Sequence, residues 1–299
     1  MASLREYRKK IKTIKSTQQI TKAMKMVAAA RLRKAQSRII SARPFAWKMR
    51  DLLMDLSGKL GTVPLGTVPN FPHPLLQTNK SNKIAILMVT ADKGLCGSFN
   101  TNIVRKTLEV IQEKKEKEIL FLAVGRKGRD FFKRSNYPIT NEYVNIFNQL
   151  SYTHAEIIGQ DLIKLYLDKK LSEVLVVYNE FKTVMQQKLT VERLLPIGKL
   201  GTVPLGTVPN FQDNVDFIYE PPREKLLDAL LPRYIKSQIF RILLESFAAE
   251  LGARMSAMDS ATKNAKELID LLVLKLNRTR QAMITREIAE LVGGAEALK

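Results

Sequence analysis

Leu244, Ala248, Leu251, Met255, Met258, Thr262, Ala265, Ile269, Leu272, Leu276, Thr279 and Met283 follow one another at alternating spacings of four and three residues. That period puts them on one narrow stripe of a helix and calls for a second helix running along it. The helical pattern extends from about Pro222 to Val292, far beyond an ordinary globular helix. At ~1.5 Å per residue it measures roughly 100 Å.

The partner is at the other end of the chain. The stretch from about Ser3 to Ser57 reads as one helix of roughly 80 Å. Leu4, Tyr7, Ile11 and Ile14 keep the same narrow spacing, and the stripe then shifts frame to Ile20, Met24 and Val27. Small residues follow at Ala28, Ala29, Ala30 and Ala35, and Pro44 is expected to kink or break the helix. A compact domain built from the middle of the chain is only about 30–35 Å across. Both helices must therefore project past it, and pairing with each other, antiparallel, is the economical arrangement.

Between the helices the pattern changes. The apolar runs "KIAILMVTAD" (Lys83–Asp92), "EILFLAVG" (Glu118–Gly125) and "EVLVVYNEF" (Glu173–Phe181) look like buried strands. Helical segments at Asn100–Lys115, Lys127–Ser135 and Thr153–Lys169 alternate with them, as in an α/β unit around a largely parallel sheet. Val184–Pro196 alternates in part and suits an edge strand or hairpin. The fold class expected is α/β: a long antiparallel two-helix coiled coil from the N- and C-terminal helices plus a central Rossmann-like α/β domain. The divisions are an N-terminal coiled-coil helix over 1–58, a linker over 59–82, the α/β domain over 83–198, a linker over 199–221 and a C-terminal coiled-coil helix over 222–299. Each linker contains the same thirteen residues, "KLGTVPLGTVPNF", at Lys59–Phe71 and Lys199–Phe211. Two separated copies are not a solenoid, which repeats contiguously. They read as inserted linker sequence without a function of its own, in keeping with their Pro and Gly content.

Charge narrows the partners. The chain has 49 Lys+Arg against 29 Asp+Glu, a net +20. The N-terminal helix alone carries fifteen basic residues opposed only by Glu6, Asp51 and Asp55. So large an excess asks for a polyanionic partner: nucleic acid, anionic lipid or an acidic protein surface. Chemistry of the chain's own is hard to find. A single cysteine, Cys96, allows neither an internal disulfide nor a cysteine-built metal site, and His73 and His154 stand far apart. No GxxxxGK[ST] and no GxGxxG is present. "TADKGLCGSFN" (Thr90–Asn100) has Gly94 and Gly97 where a strand turns into a helix, the right place for a ligand. Two glycines are also what any tight connection needs. Cys96 has no base nearby in sequence and reads as a structural thiol, while Ser151 or Thr153 could cap the helix beside His154. No catalytic, cofactor-binding or metal-binding residue is assigned, and no cofactor.

Two readings of the basic helix remain open on composition. It could lie along nucleic-acid phosphates, although only Tyr7, Phe45 and Trp47 supply aromatics for stacking. Alternatively an acidic protein sleeve surrounds it, held by long-range attraction without a fixed interlock. A membrane-surface helix would need a strong apolar face opposite the lysines, which is missing.

Several motifs carry a resemblance. "ITREIAELVGGAEA" (Ile284–Ala297), "ARMSAMDSATKNAKELI" (Ala253–Ile269), "LNRTRQAMITREI" (Leu276–Ile288), "STQQITKAMKMVAAARLRKAQ" and "DKGLCGSFN" resemble, in order, the gamma subunit of F-type ATP synthases. The duplicated LGTVP segments do not belong to that pattern. The resemblance implies a non-catalytic rotor shaft. Its coiled coil passes through three alpha and three beta subunits, and its lower part stands on the membrane c-ring and holds the epsilon subunit. Proton flow turns ring and shaft, and ATP chemistry takes place on the partners. It implies no nucleic-acid partner, and contact with the membrane only through the ring. Carried over by motif, Met24 and Lys25 match the region facing acidic beta-subunit loops. Arg254 and Gln281 match positions of polar beta contact. Thr285 and Glu287 lie near the same catch, and the Cys96 loop matches a patch just below the beta loops. A chloroplast relative would carry a cysteine pair, which a lone Cys96 excludes. The Met-Ala start favours the cytoplasmic face of a bacterial plasma membrane over the matrix face of the mitochondrial inner membrane.

Overall fold

The structure, a computed structural model, describes residues 3–58, 73–77, 79–184, 186–197 and 223–297. Both copies of the duplicated segment lie outside the described residues. Two helices dominate: α1 (Leu4–Gly58) and α5 (Arg223–Ala297). Between them lie β1 (Lys83–Val89), α2 (Phe99–Glu113), β2 (Glu118–Val124), α3 (Arg126–Arg134), β3 (Asn141–Tyr143), α4 (Tyr152–Asp168), β4 (Glu173–Phe181) and β5 (Gln187–Leu195), with a 3₁₀ turn at Ile146–Asn148. The chain divides into two compact units, one of Met1–Arg31 with Arg254–Lys299 and one of Leu32–Ala253.

The larger unit is built on a five-stranded sheet in the order β3-β2-β1-β4-β5. β1 pairs parallel with both β2 and β4, β2 with β3 also parallel, and β5 runs antiparallel along β4. β1 is apolar after its first residue because both its faces are covered. On one face lie α2 and α3, with Phe99, Ile103, Val110, Ile111 and Phe132 against Ile84, Ile86, Met88 and Phe121. On the other lie α4, part of α5 and Leu53 of α1; Ile158, Leu162, Ile235, Ile239 and Ile242 cover Ala85, Leu87, Leu122 and Val176. A third cluster joins Leu32 and Ala35 of α1 to Ala248 and Leu251 of α5.

A polar network ties α5 to the β4–β5 edge. The Arg241 guanidinium grips both Glu192 carboxylate oxygens at 2.7 and 2.9 Å, and the Tyr178 hydroxyl donates to Glu192 at 2.8 Å. Arg241 also reaches Glu245 at 3.4 Å and Gln238 at 2.8 Å. Burial pushes the Glu245 carboxyl above its usual range; Arg241 opposes this, while Glu180 and Glu192 add to it. A carboxyl titrating higher in the folded than in the unfolded chain gives stability that is lost as pH rises from the unfolded value to the folded one. Glu245→Gln removes that burden. It is expected to raise the unfolding temperature at pH 8 by about 2–4 °C and to flatten the gain in stability that the raised Glu245 carboxyl predicts on acidification. Thermal unfolding at pH 5 and pH 8 checks this, and a lower melting point at pH 8 contradicts it.

In the smaller unit, Leu4–Arg31 of α1 runs antiparallel to the C-terminal part of α5. Leu4, Tyr7, Ile11, Ile14, Gln18, Thr21, Lys25 and Ala28 are half-buried or buried positions on α1 in unbroken 3-4 spacing, with Met24 and Ala29 half-buried beside them. The frame shift expected at Ile20 does not occur: Ile20 is 57% and Val27 54% exposed. Polar side chains hold the seam positions there and bond across the helix pair, so of the residues that the shifted apolar spacing pointed to only Met24 is half-buried. On α5, Met258, Thr262, Ala265, Ile269, Leu272, Leu276 and Thr279 keep the expected 4-3 spacing. Pro44 does not break α1; it lies exposed, where water can take the carbonyl its missing N–H leaves free.

Candidate functional site

Among the described residues no group of three or more His, Cys, Asp or Glu is placed to hold a metal ion, and no helix is long and apolar enough to cross a membrane. His154 has a local role: its Nδ1 accepts the Ser151 backbone N–H at 3.2 Å and closes the start of α4. What distinguishes the molecule is what it leaves on its surface, and each unit contributes separately.

In the α/β unit the notable feature is the turn after β1. Thr90 fixes its base: the Thr90 N–H and hydroxyl both donate to the Val124 carbonyl at 2.9 Å, and Gly128 N–H donates to the Thr90 hydroxyl at 3.0 Å. Asp92 accepts the backbone N–H groups of Arg126 at 3.1 Å and Asn145 at 2.9 Å. Asn100 reaches back from α2, accepting Ala91 N–H at 2.9 Å and placing its amide 3.2 Å from the Cys96 sulfur. The N-terminal amides of α3 are thus taken by the protein itself. Cys96 is buried, as a structural thiol should be. Leu95 is the side chain that this braced turn presents, 63% exposed and held at φ +62°. A non-glycine residue in that region is strained, and strain of this kind marks positions fixed for a purpose. Sequence reading singled out Cys96 and passed over its neighbour. Gly94 and Gly97 on either side were the available signal, but a positive φ at Leu95 cannot be read from residue types.

In the coiled-coil unit Met24 is half-buried and Lys25 points across the seam to Asp259 at 2.5 Å. Arg254 is half-buried on α5. Gln281, Thr285 and Glu287 lie on a stretch of α5 that is exposed all round, and the Thr285 hydroxyl donates to the Gln281 carbonyl at 2.9 Å. The same stretch exposes Met283, Ile284, Ile288, Leu291 and Val292 at 45–75%. An apolar surface of that extent marks a place where another molecule sits. Elsewhere in this unit, α1 presents Arg5, Arg8, Lys9, Lys10, Lys12, Lys15 and Lys22 to solvent, with Glu6 the one acid before Arg31. The arrangement is a basic helix pair whose longer member ends in an uncovered apolar segment, suited to gripping a partner.

Comparison with known proteins gives this surface a context. The family described as ATP synthase matches residues 3–298. The ATP synthase gamma chain of Chloroherpeton thalassium is 45% identical over 309 aligned residues, covering 100% of this chain and 99% of the relative. That of Desulfitobacterium hafniense is 44% identical, with 100% of both chains covered. Among solved structures, a chain of the Tetrahymena thermophila mitochondrial ATP synthase central stalk and c-ring is 27% identical with a TM-score of 0.58, covering 81% of this chain and 99% of that one. A chain of the Euglena gracilis mitochondrial ATP synthase shares the fold at 21% identity and a TM-score of 0.67, covering 99% of this chain and 94% of that one.

Proposed function

The chain belongs to the ATP synthase family, alongside its gamma chains, and from that we infer that it is the central rotor shaft of an F-type ATP synthase. It transmits rotation of a membrane c-ring to the catalytic beta subunits, so that proton flow drives ATP synthesis, and the reverse. The observation that carries this is 44% identity to a gamma chain over the full length of both, joined to a basic helix pair with an uncovered apolar segment.

The chain is a subunit of the synthase; that it is non-catalytic alone is our reading, supported by the lack of any nucleotide-binding motif in its sequence. Alpha and beta subunits surround the helix pair, the epsilon subunit and c-ring meet its other end, and it sits peripherally on the cytoplasmic face of a bacterial plasma membrane. Met24, Arg254, Gln281, Thr285 and Glu287 face the beta subunits, whereas Lys25, matched to the same region by motif, is taken up by Asp259. The Cys96 turn touches them from below, with Leu95 making the contact because the thiol itself is buried. The exposed lysines and arginines of α1 meet acidic beta loops, an attraction that guides the fit without fixing one register.

The test is co-purification with alpha and beta subunits at low and moderate salt, scored for ATP hydrolysis. A complex of about three alpha and three beta per chain is expected. Absence of a complex, with steeply salt-dependent binding of DNA or RNA instead, overturns the reading. Within the complex, Leu95→Ser removes a contact worth about 1 kcal/mol and is expected to slow ATP synthesis roughly fivefold without moving the melting temperature. An unchanged synthesis rate removes Leu95 from the interface.

A further inference from the structure

The α1–α5 pair of the coiled-coil unit has an unusual step in its seam. From Leu4 to Ile14 the seam of α1 is apolar or aromatic, facing Ile269, Leu272 and Leu276, and at Ala28 it is apolar again. Between them three successive seam positions, Gln18, Thr21 and Lys25, are polar. Each finds a partner on one turn of α5. The Thr21 and Thr262 hydroxyl oxygens are 2.8 Å apart, and Gln18 Nε2 donates to the Thr262 carbonyl at 3.5 Å. The hydroxyls are satisfied whichever one donates, because the other proton goes to a carbonyl of its own helix: Gln18 at 3.0 Å for Thr21, Met258 at 2.7 Å for Thr262. One heptad step on, Lys25 bonds Asp259 at 2.5 Å, and Lys263 holds the second Asp259 oxygen at 3.2 Å. Hydrogen bonds from Lys25 and then Lys263 keep the Asp259 carboxyl below its ordinary range, so it stays ionised at neutral pH.

Three polar seam positions in a row forgo apolar burial. What they supply in exchange is direction. Apolar contacts are non-directional, and two stripes of them can shift along or around each other at little cost. A hydroxyl pair and a bridged carboxylate cannot do so without losing their geometry. If the chain is a rotor shaft, on which reading this inference rests, its two helices must turn together under load. We propose that Gln18, Thr21 and Lys25 with Asp259, Thr262 and Lys263 form a torque clasp, the point at which the two helices are keyed so that twist in one is carried by the other. Asp259 is its positioning residue, and it also draws the Lys25 charge into the seam instead of leaving it to the partner subunits.

The experiment uses the full chain assembled with alpha and beta subunits, attached to a viscous load and driven by ATP. The variant Thr21→Val, Thr262→Val, Lys25→Met, Asp259→Leu replaces the clasp by apolar side chains of similar size, which keep or strengthen the helix pair. It is expected to assemble and to hydrolyse ATP without load as the unmodified complex does, while its torque against load falls. Lys25→Asp alone lowers torque similarly, and Lys25→Asp with Asp259→Lys recovers it. Full torque from the apolar variant, or no recovery in the charge swap, overturns the clasp. Failure of the unmodified chain to assemble at all strikes instead at the rotor reading.

Discussion

Alanine at Arg241 is expected to lower the stability of the α/β unit by about 2–4 kcal/mol, since removing one partner of a largely buried ion pair strands the other. Arg241 sits among Glu192, Glu245 and Tyr178, and 23% of its side chain is exposed. Burial works against its charge, but the surrounding acids and phenol outweigh this and hold it firmly cationic. Without it, two carboxylates of low exposure face each other across α5 and β5, and the Tyr178 hydroxyl loses one of its two partners. The exposed fraction puts the cost toward the lower part of what a fully buried pair shows. Thermal unfolding followed by circular dichroism should register a fall of about 4–16 °C. The explanation makes a second demand: Arg241→Leu combined with Glu192→Met and Glu245→Leu should recover most of the loss, because an apolar set of similar volume needs no charge compensation. A single-variant loss below about 1 kcal/mol, the range of exposed pairs, would mean that water already screens the site.

Where sequence predicted well, it did so because one physical rule decided the outcome. β1, β2 and β4 are runs of apolar residues buried on both faces, and the expected segments begin on the observed residues Lys83, Glu118 and Glu173. The 4-3 period of α5 from Met258 to Thr279 held because every seam position there is apolar or a threonine. β3 has only three residues, Asn-Glu-Tyr, and exists because β2 offers it an edge; nothing local announces it. The α1 seam misled for a related reason. Gln18, Thr21 and Lys25 are acceptable in a seam only because Thr262 and Asp259 stand opposite, 241 and 234 residues away in sequence. The Arg241 network is invisible for the same reason, since three elements contribute to it. For the candidate site, motif resemblance pointed to the turn at Cys96, but the exposure of Leu95 at φ +62° is a matter of backbone conformation that residue types do not announce.

Gly125→Ala is expected to have the largest effect of a methyl added at any of the described glycines. The glycine turns the corner from β2 into α3 at φ +88°, and a Cβ there would stand 2.1 Å from the Thr90 carbonyl oxygen and 2.6 Å from its carbon. Both are backbone atoms at the C-terminal end of the middle strand and cannot swing aside. Strain and collision together are expected to cost about 4 kcal/mol or more, or roughly 8–16 °C in melting temperature. Gly128→Ala meets the mobile end of Met88 at 2.1 Å and the Thr90 side chain at 2.7 Å, so part of its clash can relax and the loss should be smaller. The difference matters beyond stability, because Thr90 is where the corner and the Leu95 turn are tied together. If Gly125 is there to hold that turn, Gly125→Ala must lower the melting temperature and, at temperatures where the chain is still folded, slow ATP synthesis as Leu95→Ser does. Leu95→Ser should do only the second. A Gly125→Ala chain that synthesises ATP at the full rate while folded would show that the corner serves the sheet alone, and that the turn keeps its shape through Asp92 and Asn100.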